Sequence, residues 1–513
     1  MNIILEILPE IFSITNLAIM SGGIIFGMVA GALPGISSTM AVTLLLPFTF
    51  ALPPASGLML LMAIYTASVY GGSVSAILIN TPGTGSSAAT AIDGYALTRK
   101  GKGALALRVS TFASSLGGVV SAIALILLSP PLSKISLWFG PPEYFLLACL
   151  GLSAVATLAA DSIAKGILAA VIGLFLASVG LDYSYGSPRF TFGIMELESG
   201  ISFIPALIGL FALSEVLRLA ESRFAPDSKP ADFKNDRIFP SLAELAPIWS
   251  TLGRGSVIGS IIGILPGAGA EIGSWISYNT EKRISKHRAE VGSGSTTGVA
   301  ASEVANNAVT GAALIPLFTL GIPGSSVAAV ILGGLLIHGL VPGRELFTEY
   351  ASVTYTAMFG FLIANILMLF FGLILVKPFA QVTRLPRRYL APIIVSLCFI
   401  GAYAINNSFF DVGIMVVFGF IGYVLQKAGF HPAPIVLAMI LGPMAESRYL
   451  QMYTLSDGNV ISFMFTRPIS LVLIAMIVLF LFSPVFFKNV QQGAGSASPA
   501  GKNAPVSETE GAA

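Results

Sequence analysis

A chain of 513 residues that is 55% hydrophobic and only 10% charged, with a mean hydropathy of +0.86, is no soluble globular protein, since those are about a quarter charged. Its net charge of +2 gives no support to a nucleic-acid partner. Cys149 and Cys398 sit in apolar runs and the three histidines are scattered, which leaves neither a disulfide framework nor a metal constellation.

Apolar runs recur at 103–130, 144–160, 351–375, 389–404 and 469–487, several of them longer than the ~20 residues that cross the hydrocarbon core of a bilayer. They predict an all-α polytopic membrane protein with about 12 transmembrane helices, some broken or folded as re-entrant hairpins. Residues 1–13 lack the positive segment of a cleaved signal peptide. Ile4, Ile7, Leu8 and Ile11 share one helical face and Glu6 and Glu10 another, the pattern of a short interfacial segment.

Residues 14–222 and 251–487 read as two membrane repeats, 223–250 as a charged linker, and 488–513 as a disordered tail rich in Gly, Ala, Ser and Pro. The first repeat opens with Gly23, Gly27, Gly31, Leu33, Pro34 and Gly35. The second opens with Gly255, Gly259, Gly263, Leu265, Pro266 and Gly267, each 232 residues after its counterpart. A further break follows in each: Asn80-Thr81-Pro82-Gly83 and Gly321-Ile322-Pro323-Gly324. Looser correspondences come later, with Pro142-Glu143-Tyr144 against Arg387-Arg388-Tyr389 and Glu215 against Glu446. The basic loops 99–108, 282–288 and 377–388 are assigned to the cytoplasm, and the acidic-leaning loop 182–198 to the opposite side. Equivalent loops, such as 99–108 and 342–350, then fall on opposite sides, the mark of an inverted-topology repeat. That arrangement requires 255–279 to be a hairpin folded at Leu265-Pro266-Gly267.

Gly and Pro interrupt helices, and within a membrane an interruption is tolerated where the freed backbone lines a cavity or packs on protein. Matching breaks in two halves point to a transporter's binding site. Each break starts a half-helix whose first N–H groups lack partners and hold an anion well. The candidate substrate and cation site therefore comprises Pro34, Gly35, Ser37, Ser38 and Thr39; Asn80, Thr81, Pro82, Gly83 and Thr84; Pro266, Gly267 and Gly269; and Pro323, Gly324, Ser325 and Ser326. A transported Na+ would take exposed carbonyls and hydroxyl oxygens at the same breaks. The competing reading is a kinked helix whose hydroxyls satisfy the freed carbonyls. Glu303, Asn306, Asn307 and Thr310 share a polar helix face, and an ionisable residue there is either functional or interfacial; the first repeat carries Tyr65, Thr66, Ser68 and Tyr70 in that stretch. The glycine-rich segment 292–298 lacks the Lys-Ser/Thr of a nucleotide loop and reads as a flexible helix entry. Asp93 reads as a cap or turn residue.

Several motifs in order resemble the large membrane permease subunit of the tripartite tricarboxylate transporters: Gly31-Ala32-Leu33-Pro34-Gly35, the run 76–84 ending in Asn80-Thr81-Pro82-Gly83-Thr84, Ala91-Ile92-Asp93-Gly94-Tyr95, the run 263–269, Ser302-Glu303-Val304-Ala305-Asn306-Asn307-Ala308 and Leu320-Gly321-Ile322-Pro323-Gly324-Ser325. Pro342-Gly343-Arg344 departs from the Pro-Gly-Pro expected there. The resemblance implies a multi-pass secondary transporter of the bacterial inner membrane, without a cofactor, working with a small four-span membrane subunit and a periplasmic solute-binding protein. It further implies uptake of a di- or tricarboxylate, driven by a cation gradient, usually Na+, with H+ as the other coupling ion. A stand-alone permease or channel for another solute is the alternative. A membrane-embedded enzyme is disfavoured by the thin supply of His, Asp and Glu within the spans.

Overall fold

A computed structural model describes residues 2–135, 138–158, 162–182, 185–221, 239–267, 269–375, 378 and 387–495. Residues 223–238 of the expected linker, most of the basic loop 377–388, and the tail from 496 on lie outside the described residues. The described chain is almost wholly helical. A two-stranded ribbon pairs Gly180 with Arg189 and Leu181 with Pro188.

Helix α1 (Asn2–Ile11) is followed by α2 (Ile14–Ala32), which starts where the Ser13 hydroxyl accepts from Asn16 N and stops at the extended Leu33. Leu33 precedes Pro34, and a residue before proline is pushed out of the helical region. The chain reverses on Gly35 (φ 98°) into α3 (Ser38–Leu45), capped by Ser37, and re-enters as α4 (Pro54–Ile79). Helices α2 and α4 run parallel with backbones almost touching. A β-carbon on Gly27 would lie 2.7 Å from the Ile64 carbonyl oxygen, and one on Gly31 would overlap that of Ser68. Small residues allow that approach in membrane helices.

Helix α4 ends on Asn80 in the left-handed conformation (φ 52°). Thr81 N donates to Ser75 O and Gly83 N to Gly72 O, so the chain doubles back into the bundle. Helix α5 (Ala88–Arg99) then leaves alongside the end of α4, with Thr98 Oγ1 donating to Ile77 O at 2.7 Å. Helix α6 (Gly103–Ile135) returns antiparallel to α4, with Tyr70 OH on Thr111 Oγ1 at 2.7 Å. Three further helices follow: α7 (Pro141–Leu158), α8 (Ile163–Ala177) and α9 (Phe203–Glu221), the last with a π turn over Ile208–Leu213.

Helices α10 (Trp249–Ile264), α11 (Gly269–Ile284), α12 (Thr296–Ala312), α13 (Leu314–Leu320) and α14 (Ser326–Ile337) come next. A β-carbon on Gly259 would lie 2.5 Å from Ala305 O, and one on Gly263 2.9 Å from Val309 O. Helix α13 ends on left-handed Gly321. Ile322 N donates to Pro316 O and Gly324 N to Ala313 O, the same two bonds shifted along the chain. The α10–α11 hairpin is closed at its open end by Thr251 and Arg254, both on Glu281 at 2.9 and 2.6 Å.

The two hairpins open at opposite ends of the bundle. Ser56 Oγ donates to Asn16 Oδ1 at 2.6 Å, so α2 and α4 start together at one end. Helix α10 starts at the other, where Trp249 meets Phe112 edge-on and Arg108 meets Glu244 at 2.9 Å. Lys100 Nζ donates to Ser293 O at that second end, which ties the basic loop 99–108 to the glycine-rich segment 292–298. Helix α15 (Ala351–Ile374) runs from Thr356, beside Glu10, to Gly372, against Thr111 and Tyr70. The outer helices are α16 (Arg387–Asn406), α17 (Phe409–Lys427), α18 (Ala433–Leu455) and α19 (Pro468–Gly495). Among the described residues, six helices (α2, α4, α6, α9, α15 and α17) are long and apolar enough to cross a membrane.

Asp93 is more than a local cap. It is fully buried, and its carboxylate accepts from Gly294 N at 2.7 Å, Ser295 N and Gly292 N at 2.9 Å, and Tyr278 OH at 2.9 Å. The glycine-rich segment expected to be a flexible entry therefore wraps the chain's own carboxylate and ties α5 to α11 and α12. Asp93→Asn would remove the charge and turn an amide N–H₂ toward donors. We expect a loss of roughly 3 kcal/mol, read as a lowered unfolding midpoint of the detergent-solubilised protein.

Candidate substrate and cation site

The four breaks meet. A cavity of about 220 Å³ is lined by Ser37, Ser38 and Thr39 from the first, Thr84, Gly85 and Ser86 from the second, Gly267, Gly269 and Ala270 from the third, and Ser325 and Ser326 from the fourth. Tyr65, Val69, Glu271, Ile272, Val327 and His431 complete the wall. Four helices, α3, α5 (through the turn Gly85–Ser87), α11 and α14, begin at this space. Each brings the positive end of its dipole and N–H groups with no partner inside the helix.

The local chemistry follows from the caps. Ser37 Oγ accepts from Met40 N and Ser325 Oγ from Ala328 N, both at 3.1 Å. Thr84 and Ser87 close a reciprocal capping box. Ser325 also pairs with Tyr65 OH at 3.2 Å, a contact that links α4 to the fourth break. Ser38 Oγ is buried without a partner and lines the same space. A wider vestibule of about 760 Å³ shares Ser37, Thr39, Thr84, Gly85, Glu271, Ser326 and His431 with the inner cavity. It adds Glu215, Arg218 and Gln426. Arg218 meets Glu215 at 3.2 Å, and Gln426 donates to Ser214 Oγ at 2.9 Å beside the π turn of α9.

Gly35, Pro82 and Gly83 border the vestibule. Pro34, Asn80, Thr81, Pro266, Pro323 and Gly324 do not line either space; they shape the reversals behind it. Gly324, for example, is packed against Gly263 O and Ala313 Cα.

Glu303, Asn306 and Asn307 are not brought to the cavity. They form a separate, fully buried polar layer where α12 crosses α4, α5 and α6. Glu303 accepts from Thr90 Oγ1 at 2.5 Å and Ser114 Oγ at 2.8 Å. Asn307 Nδ2 donates to Thr66 Oγ1 at 3.1 Å, and Thr66 Oγ1 to Asn365 Oδ1 at 2.7 Å. The interfacial reading of Glu303 does not hold, because its carboxyl is wholly enclosed.

The wall residues not selected from the sequence as site residues include Glu271, Tyr65 and His431. Glu271 stands two residues after Gly269, where the break motif alone gave it no role. Tyr65 was noted only as part of a polar stretch. His431 sits in the connection before α18, and no local pattern marks it.

A model of the tripartite tricarboxylate transporter TctA family matches residues 17–437. The chain belongs to that family. As a TctA-family protein it is a multi-pass membrane transporter component of tripartite tricarboxylate transport. It is 38% identical over 454 residues to the uncharacterized 52.8 kDa protein in the TAR-I ttuC' 3' region of Agrobacterium vitis, with 88% of this chain and 90% of that one covered. It is also 38% identical over 218 residues to an uncharacterized protein in the TAR-II ttuC' 3' region of the same organism. That match covers 42% of this chain and 90% of the relative. No solved structure matches the chain.

Proposed function

We propose that this TctA-family chain is the permease subunit of a binding-protein-dependent carboxylate uptake system in a bacterial inner membrane, driven by a Na+ or H+ gradient. A periplasmic solute-binding protein delivers a di- or tricarboxylate, and a small four-span subunit completes the membrane unit. The carboxylate binds in the inner cavity, held by half-helix N-termini and the hydroxyls of Ser37, Ser38, Thr84 and Ser326.

One observation carries this reading: four helices begin at a single space whose inner wall has no lysine or arginine. Such a space suits an anion without a buried cationic side chain. The matched glycine contacts, the matched reversals and the opposite openings of the two hairpins support an inverted repeat. In this reading the six long helices, the shorter apolar helices and the hairpins together make up about twelve passages.

The test is uptake of labelled citrate and smaller dicarboxylates into proteoliposomes containing this chain, with and without the small subunit and binding protein, under imposed Na+ or H+ gradients. Uptake that needs all three proteins and a gradient supports the proposal. Uptake by the chain alone, indifferent to both cations, would establish a stand-alone permease instead.

A further inference from the structure

The inner cavity holds a contradiction in charge. It is built from four positive helix ends, yet one carboxylate, Glu271, lies in its wall and also borders the vestibule. Glu271 is in the first turn of α11, and its Oε1 rests against Gly85 at the opening of the α5 segment. It is itself an anion that the helix ends attract. When a substrate carboxylate enters, two like charges share a space with low-dielectric walls, and one of them has to be neutralised.

Among the described residues, the cavity wall supplies no fixed cation for this. Arg218, in the outer vestibule, is engaged with Glu215. His431 accepts at Nδ1 from Ala433 N at 3.2 Å. Tyr65 is committed to Ser325. The other acidic groups around α11 are occupied elsewhere: Glu281 with Arg254, Asp93 with the 292–295 amides, and Glu303 with Thr90 and Ser114. The neutralising charge must come from solution. Hydroxyls of Thr39, Thr84 and Ser326 line the same space, and Ser38 Oγ, 7% exposed in its residue, faces it unpartnered. Oxygen donors of that kind complete the shell of a small monovalent cation.

We propose that Glu271 is the residue at which a monovalent cation, Na+ or H+, is taken up with the carboxylate, so that substrate binds tightly only when this position is neutralised. The inference rests on the carboxylate cavity proposed above and assigns that cavity its coupling group.

The experiment compares the wild-type three-protein system with E271Q and Glu271→Asp in proteoliposomes, varying Na+ at fixed pH and pH at fixed Na+. Thermal unfolding of the purified permease with citrate is followed across the same conditions. For E271Q we expect gradient-driven accumulation to fall at least tenfold, while exchange of internal for external substrate persists. Its stabilisation by citrate should become independent of the cation that matters in the wild type. Glu271→Asp should retain coupling with cation affinity shifted at least threefold. The arm that loses its dependence, Na+ or pH, identifies the cation. Cation dependence in E271Q equal to that of the wild type, in uptake or in stabilisation, would overturn the proposal while leaving the carboxylate cavity standing. Wild type that neither accumulates nor is stabilised by any carboxylate would overturn both.

Discussion

Gly31→Val should abolish assembly of the bundle, whereas Gly22→Ala nine residues earlier should be tolerated. A β-carbon on Gly31 would fall on the Ser68 carbonyl and lie 3.0 Å from Gly72 N. Both are backbone atoms of α4, a helix held on its other faces by α5, α6 and α15. No rotamer relieves such a clash, so α2 and α4 must separate. Overpacking of this kind costs about 3 kcal/mol or more. Separation would also shift the first break and the cavity wall behind it, because Gly83 is packed against Gly31 O. Gly22 has nothing within 4 Å of the position its β-carbon would take, and an alanine there gains helix propensity of roughly 0.5–1 kcal/mol. Size-exclusion profiles and unfolding midpoints in detergent check both. A monodisperse Gly31→Val protein with wild-type stability would mean that the helices are not in backbone contact. Gly263→Val should repeat the effect in the second half, where Val309 O lies 2.9 Å from the corresponding β-carbon.

Ser326→Asp should separate stability from function. Ser326 is the first residue of α14 and lines both the inner cavity and the vestibule. A carboxylate in the first turn of a helix stabilises it by about 0.3–1 kcal/mol, so the unfolding midpoint should hold or rise. The same carboxylate occupies the field that the substrate needs. Two unit charges ~5 Å apart at an effective dielectric of about 20 repel by about 3 kcal/mol, or roughly a hundredfold in affinity. Ser326→Asn, similar in size but neutral, should lose far less. Citrate affinity of the two variants, measured by stabilisation or by uptake kinetics, decides the matter. An aspartate variant that binds citrate as well as the wild type would show that the α14 N-terminus does not meet the substrate.

Much of the framework is legible along the chain because its causes are local. Apolar composition requires helices wherever the backbone must satisfy itself away from water. Pro34, Pro82, Pro266 and Pro323, with their glycines, mark where those helices stop. Ser37, Thr84 and Ser325 are recognisable caps of the kind that start the next helix. The glycine spacing in α2 and α10 announces close helix contact, but not the partner. The hairpin expected at Leu265-Pro266-Gly267 agrees with the described α10 and α11, which fold back to join Glu281 with Arg254.

Periodicity assigns a residue to a helix face and leaves open what the face meets. Glu303, Asn306 and Asn307 make a polar stripe that pairs equally well with a cavity or with another polar stripe, and only the crossing of α12 over α4, α5 and α6 decides for enclosure. Asp93 and the 292–295 amides are some two hundred residues apart in the chain, so neither segment signals the other.

By itself, the sequence determined the membrane class, the helical content, the places where helices break, and membership in a transporter family, because composition and Gly/Pro chemistry act within a few residues. The tertiary structure alone decided that four breaks share one cavity, that Glu303 is walled off from it, and that Glu271 and His431 belong to it. Those outcomes depend on which helix faces come within a few ångströms of one another, and that is set by the packing of elements hundreds of residues apart.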